Sequence, residues 1–495
     1  MQCVAKIANK NKMLQVMDLL ARSLKTALPD MLYRSVIFVL AALGATRAGA
    51  NDLLRLYELA VTHDATLQAA TFQRDATIEA KPQAVAALLP QLGAQASADR
   101  ERAGFAAGVI PSSVSANGTI ASNVTANCVL SISSDFEHCY SYVRTYGLTL
   151  SQTLWSWQSF NQLREANSLA ASAEATLLSA QQGLLLRVAS GYFTILAAHD
   201  QLNTNRSARS AFGDLLKQAQ VRQQTGVGPR SDVEQAQSFY DATEQSVIDA
   251  QNALDDAELA LTEIVGTYDH DVAPLQDSIP LIAPDPTSVD AWVASAEQDN
   301  PSVRAAQLQV EASGRDINVQ RGKGLPTVSL TGSTSHLYQD QALGGNETLD
   351  SVGVSFTWAL FQGGAVASAV RQSRALNRQA QAQYEGTQRD VERQTRAAYR
   401  GVVTGIQRIA AAQRAAESGH GAVEASKRNL EFGTGTEFDL LNAQNNYYAA
   451  QRAYSQTRYD YLTNVLTLKQ QAGRLSQADL AAIDALLVER GARHD

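Results

Sequence analysis

At 495 residues the chain has the length of three average domains unless part of it is repeated. A formal charge of -8, without any Lys/Arg block or interleaving of basic and aromatic residues, excludes a nucleic-acid partner. Aromatic residues supply only 6% of the chain while Ala and Gln are abundant, which suits long, closely packed helices more than a thick globular core.

In chain order, Arg34 precedes the apolar run Val36-Ile37-Phe38-Val39-Leu40-Ala41-Ala42-Leu43, and Ala48-Gly49-Ala50 supplies small residues for cleavage. The run is too short to span a bilayer, so residues 1–50 read as a secretory pre-sequence, with the mature chain starting near Asn51; a membrane anchor is the alternative. Residues 1–30 are unusual ahead of such a signal, which leaves Met1, Met13 and Met31 as possible starts. No later segment approaches 18 consecutive apolar residues, so no transmembrane helix is expected. Cys3 leaves with the pre-sequence. Cys128 and Cys139 remain, an even pair that in an exported chain points to a disulfide; a metal site shared with His138 is disfavoured because exported thiols oxidise.

Leu54, Tyr57, Val61, Leu67 and Ala70 have helical spacing within 51–89, and Leu89-Pro90 ends that helix. Leu92, Ala94, Ala96 and Ala98 then alternate with Gly93, Gln95, Ser97 and Asp99. A Ser/Asn/Gly-rich loop over 104–142 carries the cysteine pair. A second strand runs from Tyr146 to Trp155, with Tyr146, Leu148, Leu150, Gln152 and Leu154 on one side. It passes into a helix with an apolar seam at Leu163, Ala166, Ala170, Ala173, Leu177, Ala180, Leu184 and Val188. That helix is expected to continue to Gly226-Val227-Gly228-Pro229, about 70 residues and roughly 100 Å. Ser231-Asp232 caps a return helix to Val265, and Gly266 to Pro286 is an irregular, proline-rich connector.

The same order then recurs: a helix over 289–324, a stop at Leu325-Pro326, a strand opened by Val328 and Leu330, a turn at Gly344-Gly345-Asn346, and a strand with Val352, Val354, Phe356, Trp358 and Leu360. A second long helix spans about 364–431. Leu89-Pro90 and Leu325-Pro326 stand 236 positions apart; Tyr192 with Tyr399, Gly226 with Gly433, Gly228 with Gly435, and Asp232 with Asp439 all stand 207 apart. Constant spacing identifies one duplicated unit. The organisation is a pre-sequence at 1–50, a first repeat at 51–265, a connector at 266–286, a second repeat at 287–472 and a tail at 473–495.

Each half offers two strands of roughly nine to fourteen residues with an apolar and a small-polar face, the pattern of a membrane-spanning β-strand. Four strands cannot close a barrel, and an open edge in lipid leaves backbone groups unpaired. Copies must therefore pool their strands: two would give eight, three would give twelve. The fold class is an α+β membrane protein, an oligomeric β-barrel continued by long helices in water. The competing reading is an elongated soluble coiled-coil protein with a small sheet.

Gly226-Val227-Gly228-Pro229-Arg230-Ser231-Asp232-Val233 and Gly433-Thr434-Gly435-Thr436-Glu437-Phe438-Asp439-Leu440-Leu441-Asn442-Ala443-Gln444 resemble the paired helix-turn signatures of the TolC family of bacterial outer-membrane factors. Leu89-Pro90, Leu325-Pro326, Tyr459-Asp460-Tyr461-Leu462-Thr463-Asn464 and Gly473-Arg474-Leu475-Ser476-Gln477 match in order, so the likeness covers about 51–487. The resemblance implies a homotrimer with a twelve-stranded barrel in the outer membrane, a periplasmic α-helical tunnel, and a belt formed by 266–286 with the C-terminal segment. It implies a periplasmic adaptor (membrane fusion) protein and an inner-membrane ABC transporter as partners. The tail spacing resembles the type I secretion branch; multidrug efflux with a proton-driven pump is the alternative.

Asp232 and Asp439 read either as helix-capping carboxylates or, as the resemblance implies, as acids lining a constricted entrance. Asn442 stands where some members carry a second aspartate, and Gly435 where a basic gate residue is found, so a gate held by those charge pairs is doubtful here. Gly226, Val227, Gly228, Gly433, Thr434 and Gly435 supply tight turns and are candidates for adaptor docking. Trp155, Trp358 and Phe361 fall where strands leave the membrane, as an interfacial belt or as packing at the strand–helix junction. The seven histidines are scattered, and no phosphate loop, paired metal-ligand spacing or nucleophile elbow appears. Neither an enzyme nor a cofactor is expected.

Overall fold

The computed structural model describes residues 52–103, 139–269, 272–339 and 346–488. The pre-sequence, Asn51, Cys128 with its expected bond to Cys139, and the Gly344-Gly345 turn lie outside the described residues.

Three helices lead the chain, α1 (Asp52–His63), α2 (Ala65–Ile78) and α3 (Ala80–Ala86), where the spacing predicts one. The first break is at Asp64. Its backbone is extended, its Oδ1 accepts from the Leu67 N–H at 2.6 Å, and both its oxygens accept from Arg187 at 2.9 Å. A carboxylate that caps one helix while holding an arginine of another fixes the angle between them. The helix predicted over 289–324 divides the same way into α6 (Val289–Asp299) and α7 (Pro301–Gly322), because Asn300 caps the N–H groups of Ser302 and Val303 and proline follows at N1.

Two very long helices dominate, α4 (Trp157–Gln224, 68 residues) and α8 (Ala365–Glu431, 67 residues). At 1.5 Å per residue each spans roughly 100 Å. Each folds back into a return helix, α5 (Arg230–Val265) and α9 (Glu437–Gln471), and a short α10 (Gln477–Asp484) closes the described chain.

The strands are β1 (Gln91–Ala103), β2 (Cys139–Ser156), β3 (Thr327–Gln339) and β4 (Glu347–Thr357), an antiparallel sheet in the order β1-β2-β3-β4. β2 opens at Cys139 rather than Tyr146, since residues 139–145 all find partners on β1. β4 stops at Thr357 rather than Leu360, because its partner β3 begins only at Thr327, just after Pro326, which has no N–H to give a ladder. The register sorts the side chains into two faces. One carries Leu92, Ala94 and Ala96, then Tyr146, Leu148 and Leu150, then Val328 and Leu330, then Val352, Val354 and Phe356. The other carries Gln95, Ser97, Thr145, Thr149, Ser151, Thr331, Ser333, Ser335 and Ser351, with Ser333 and Ser351 hydroxyls 2.8 Å apart. Among the described residues neither β1 nor β4 has a partner on its outer edge.

The main core lies midway along the helices, where Leu53, Leu184, Val188, Tyr192, Leu261, Leu466 and Leu480 are fully buried. The described part of the 266–286 connector packs here. Tyr192 donates to the Ala273 carbonyl at 2.7 Å, Leu275 bridges to Leu487, and Val488 N–H donates to Pro274 at 2.9 Å, tying connector to C-terminal segment.

Candidate functional site

At the end of the helices away from the sheet, α4 passes to α5 and α8 to α9 through one turn built twice. Val227 and Gly228 N–H groups both donate to Arg222 O at 2.9 and 3.0 Å; Thr434 and Gly435 donate to Asn429 O at the same distances. The two glycines of each turn do different things. Gly226 and Gly433 have φ of 75° and 72° with open space around them, so they are there for the left-handed backbone. Gly228 and Gly435 are there for closeness: a Cβ would stand 3.1 Å from Arg222 Cβ and 2.9 Å from Asn429 Cβ. Between them Val227 is 79% exposed, and the neighbouring Phe432 81%.

Asp232 and Asp439 occupy matching positions, three residues past the N-caps Pro229 and Thr436, so neither is the cap itself. Their surroundings differ because the caps differ. Thr436 forms a capping box: its hydroxyl accepts from Asp439 N–H at 3.2 Å, and Asp439 Oδ2 accepts from Thr436 N–H at 3.1 Å and from its hydroxyl at 2.6 Å. Those bonds, the side-chain one foremost, hold the Asp439 carboxyl below its ordinary range. Pro229 has no hydroxyl and no N–H, and among the described residues the Asp232 carboxylate accepts from the Ser231 hydroxyl at 3.4 Å. Asn442 is half-buried and donates to the Phe438 carbonyl at 3.0 Å, within its own helix.

The sequence gives no sign of what joins the two turns. Glu437, in the first turn of α9, is 2% exposed and faces the guanidinium of Arg222 at the end of α4. Behind this ion pair Phe212, Leu216, Ala219, Ala236, Leu440 and Leu441 pack α4, α5 and α9 together. A first-turn acid reads as a solvated helix-dipole partner, and its arginine lies more than two hundred positions away. Only the tertiary packing reveals the pair.

At the sheet–helix junction Trp155 lies on the apolar face opposite Val328, turned there by an irregularity between Thr153 and Trp155. Trp358 falls beyond β4, its indole donating to the Gly324 carbonyl at 3.1 Å, and Phe361 is 89% exposed. Trp157 and Phe160, in the first turn of α4, are further exposed aromatics at this level.

The family model described as outer membrane efflux protein matches residues 56–267 and 292–474, once on each half. Outer membrane protein TolC of Vibrio cholerae serotype O1 is 29% identical over 456 residues, 91% of this chain and 97% of its own length. Alkaline protease secretion protein AprF of Pseudomonas aeruginosa is 27% identical over 445 residues, 89% of this chain and 88% of its own. Among solved structures, the Campylobacter jejuni CmeC outer membrane channel has a TM-score of 0.72 at 17% identity, covering 88% of this chain and 90% of that one, a likeness of fold. With both halves matched, the chain belongs to the outer membrane efflux protein family, the TolC family, and its place is the bacterial outer membrane with its helical part in the periplasm.

Proposed function

We propose that three copies close their sheets into a twelve-stranded barrel and their helices into a periplasmic tunnel, a passive export duct. The observation that carries this is the sheet: one face carries most of its apolar side chains, the other most of its hydroxyls and amides, and both edges are unpaired among the described residues. In lipid such edges must be paired, and an antiparallel ring continues when β4 of one copy meets β1 of the next. The connector with the C-terminal segment forms a belt around the tunnel. A periplasmic adaptor docks on the exposed turns at Val227 and Thr434, and an inner-membrane pump supplies the energy. Bulky substitution at both turns is expected to abolish adaptor cross-linking while trimers persist; unchanged cross-linking contradicts the docking role.

Similarity to a protease secretion protein over most of both chains supports type I protein secretion with an ABC transporter. The family's efflux description supports the second reading, multidrug efflux. Deleting the gene separates them: loss of an exported protein without drug sensitivity marks secretion, the converse efflux. The entrance is formed by Asp232 and Asp439, six carboxylates in three copies, which favour cations. Conductance of the purified protein in planar bilayers is expected to be blocked by divalent cations, and less so in Asp439→Ala; equal block removes the acidic ring.

A further inference from the structure

The lipid-facing side of the sheet is not uniformly apolar. Along the register, rows of side chains climb from the helices: Trp155, Val328 and Phe356; then Gln152, Leu330 and Val354; then Leu92, Leu150 and Val352; then Ala94, Leu148, Thr334 and Asp350. Above them come Ala96, Tyr146, His336 and Thr348, then Ala98, Arg144 and Tyr338, then Arg100 and Tyr142. The guanidinium of Arg100 lies over the Tyr142 ring at 5.5 Å, and Tyr146 meets Tyr338 edge-on at 6.0 Å. Arg100, Tyr142, Arg144, Tyr146 and Tyr338 are all exposed. At about 3.3 Å per residue and a strand tilt near 40°, the climb from Val328 to Tyr338, the register partner of Arg144, is roughly 25 Å, about the height of an outer-membrane apolar band, and Arg100 stands one row higher. The arginines thus stand at the far headgroup level. The near end of the same face carries Trp155, Val328 and Phe356 and no basic residue.

Resting on the barrel reading, which sets this face toward lipid, we infer that Arg100 and Arg144 with their tyrosines bind the phosphates of the outer leaflet's phosphorylated glycolipid. Guanidinium forks suit phosphate oxygens, and tyrosine rings suit the boundary between acyl chains and headgroups. Asp350 shares the face but lies two rows below Arg144, beside Thr334. Placing the basic pair only at the outward end fits a lipid whose phosphates are confined to that leaflet.

The test uses trimers extracted from outer membranes in mild detergent, stripped of lipid and mixed with diphosphoryl lipid A or its dephosphorylated form, with bound lipid counted by native mass spectrometry. The wild type is expected to prefer the diphosphoryl form by about tenfold, as charge-assisted contacts warrant. Arg100→Gln with Arg144→Gln loses that preference and leaves the trimers intact, while Arg100→Lys with Arg144→Lys keeps part of it. Equal binding of the two lipids, or an unchanged preference in the glutamine variant, overturns the inference alone. Dissociation of glutamine-variant trimers with lipid preference unchanged assigns the arginines to contacts between copies and also overturns it. A protein absent from the outer-membrane fraction removes the barrel reading itself.

Discussion

The glycine turns show how much a single residue can reveal, and how much it hides. Gly226→Ala and Gly433→Ala meet no neighbour, so only the positive φ resists them, about 1–2 kcal/mol each. Gly435→Ala should cost more despite its ordinary φ, because its Cβ would press on Asn429. Thermal unfolding of the three variants checks the order; equal losses would contradict it. These glycines and Asp232 and Asp439 were legible from the 207-residue spacing. The Arg222–Glu437 pair was not, because nothing local marks a first-turn acid as buried. Glu437→Ala or Arg222→Ala should destabilise by about 2–3 kcal/mol, below the fully buried range because Arg222 is one-third exposed. A double-mutant cycle with no coupling would count against the pair. Glu165, at the head of α4, gives a pH signature: burial first, then the charge of Asp316, pushes its carboxyl up to about 7 from 4.5. The folded state then holds the proton more tightly than the unfolded chain, so this group costs stability as pH rises from about 4.5 to 7. Glu165→Gln should therefore raise the melting temperature at pH 8 and leave it nearly unchanged at pH 4; a shift of equal size at both contradicts the assignment.

At the scale of elements, period and punctuation carried most of the fold. The seam from Leu163 onward and the glycines after it marked the long helix of α4 to within a residue or two, since nothing between them interrupts the period. The strands were visible through alternation, but their ends depended on partners: β2 gained residues 139–145 from β1, and β4 lost 358–360 where β3 has not begun. The helix breaks at Asp64 and Asn300 were missed because a capping side chain inside an apolar period looks like any polar position until its bonds are seen. Asp64 does most there, since it also holds Arg187. Asp64→Ala should cost about 2–3 kcal/mol by removing a cap and stranding Arg187, whereas Asp64→Asn keeps the cap and should cost less. Similar losses for the two, followed by chemical denaturation, would show that the cap contributes little.

The molecule as a whole is a four-stranded sheet standing on helices roughly 100 Å long, with its main core gathered midway where the connector and C-terminal segment meet. The sheet is too narrow to seal itself, and the helices offer exposed apolar groups such as Leu259 and Ile248 along α5, which neighbouring copies would cover. Everything proposed for the duct, the entrance acids and the outward arginines follows from several copies sharing one ring of strands. The most direct test is the mass of the particle released from outer membranes in mild detergent, measured by native mass spectrometry. Three chains per particle, with no monomer in the detergent-free periplasmic extract, is the predicted result; a single chain recovered from that extract would contradict it.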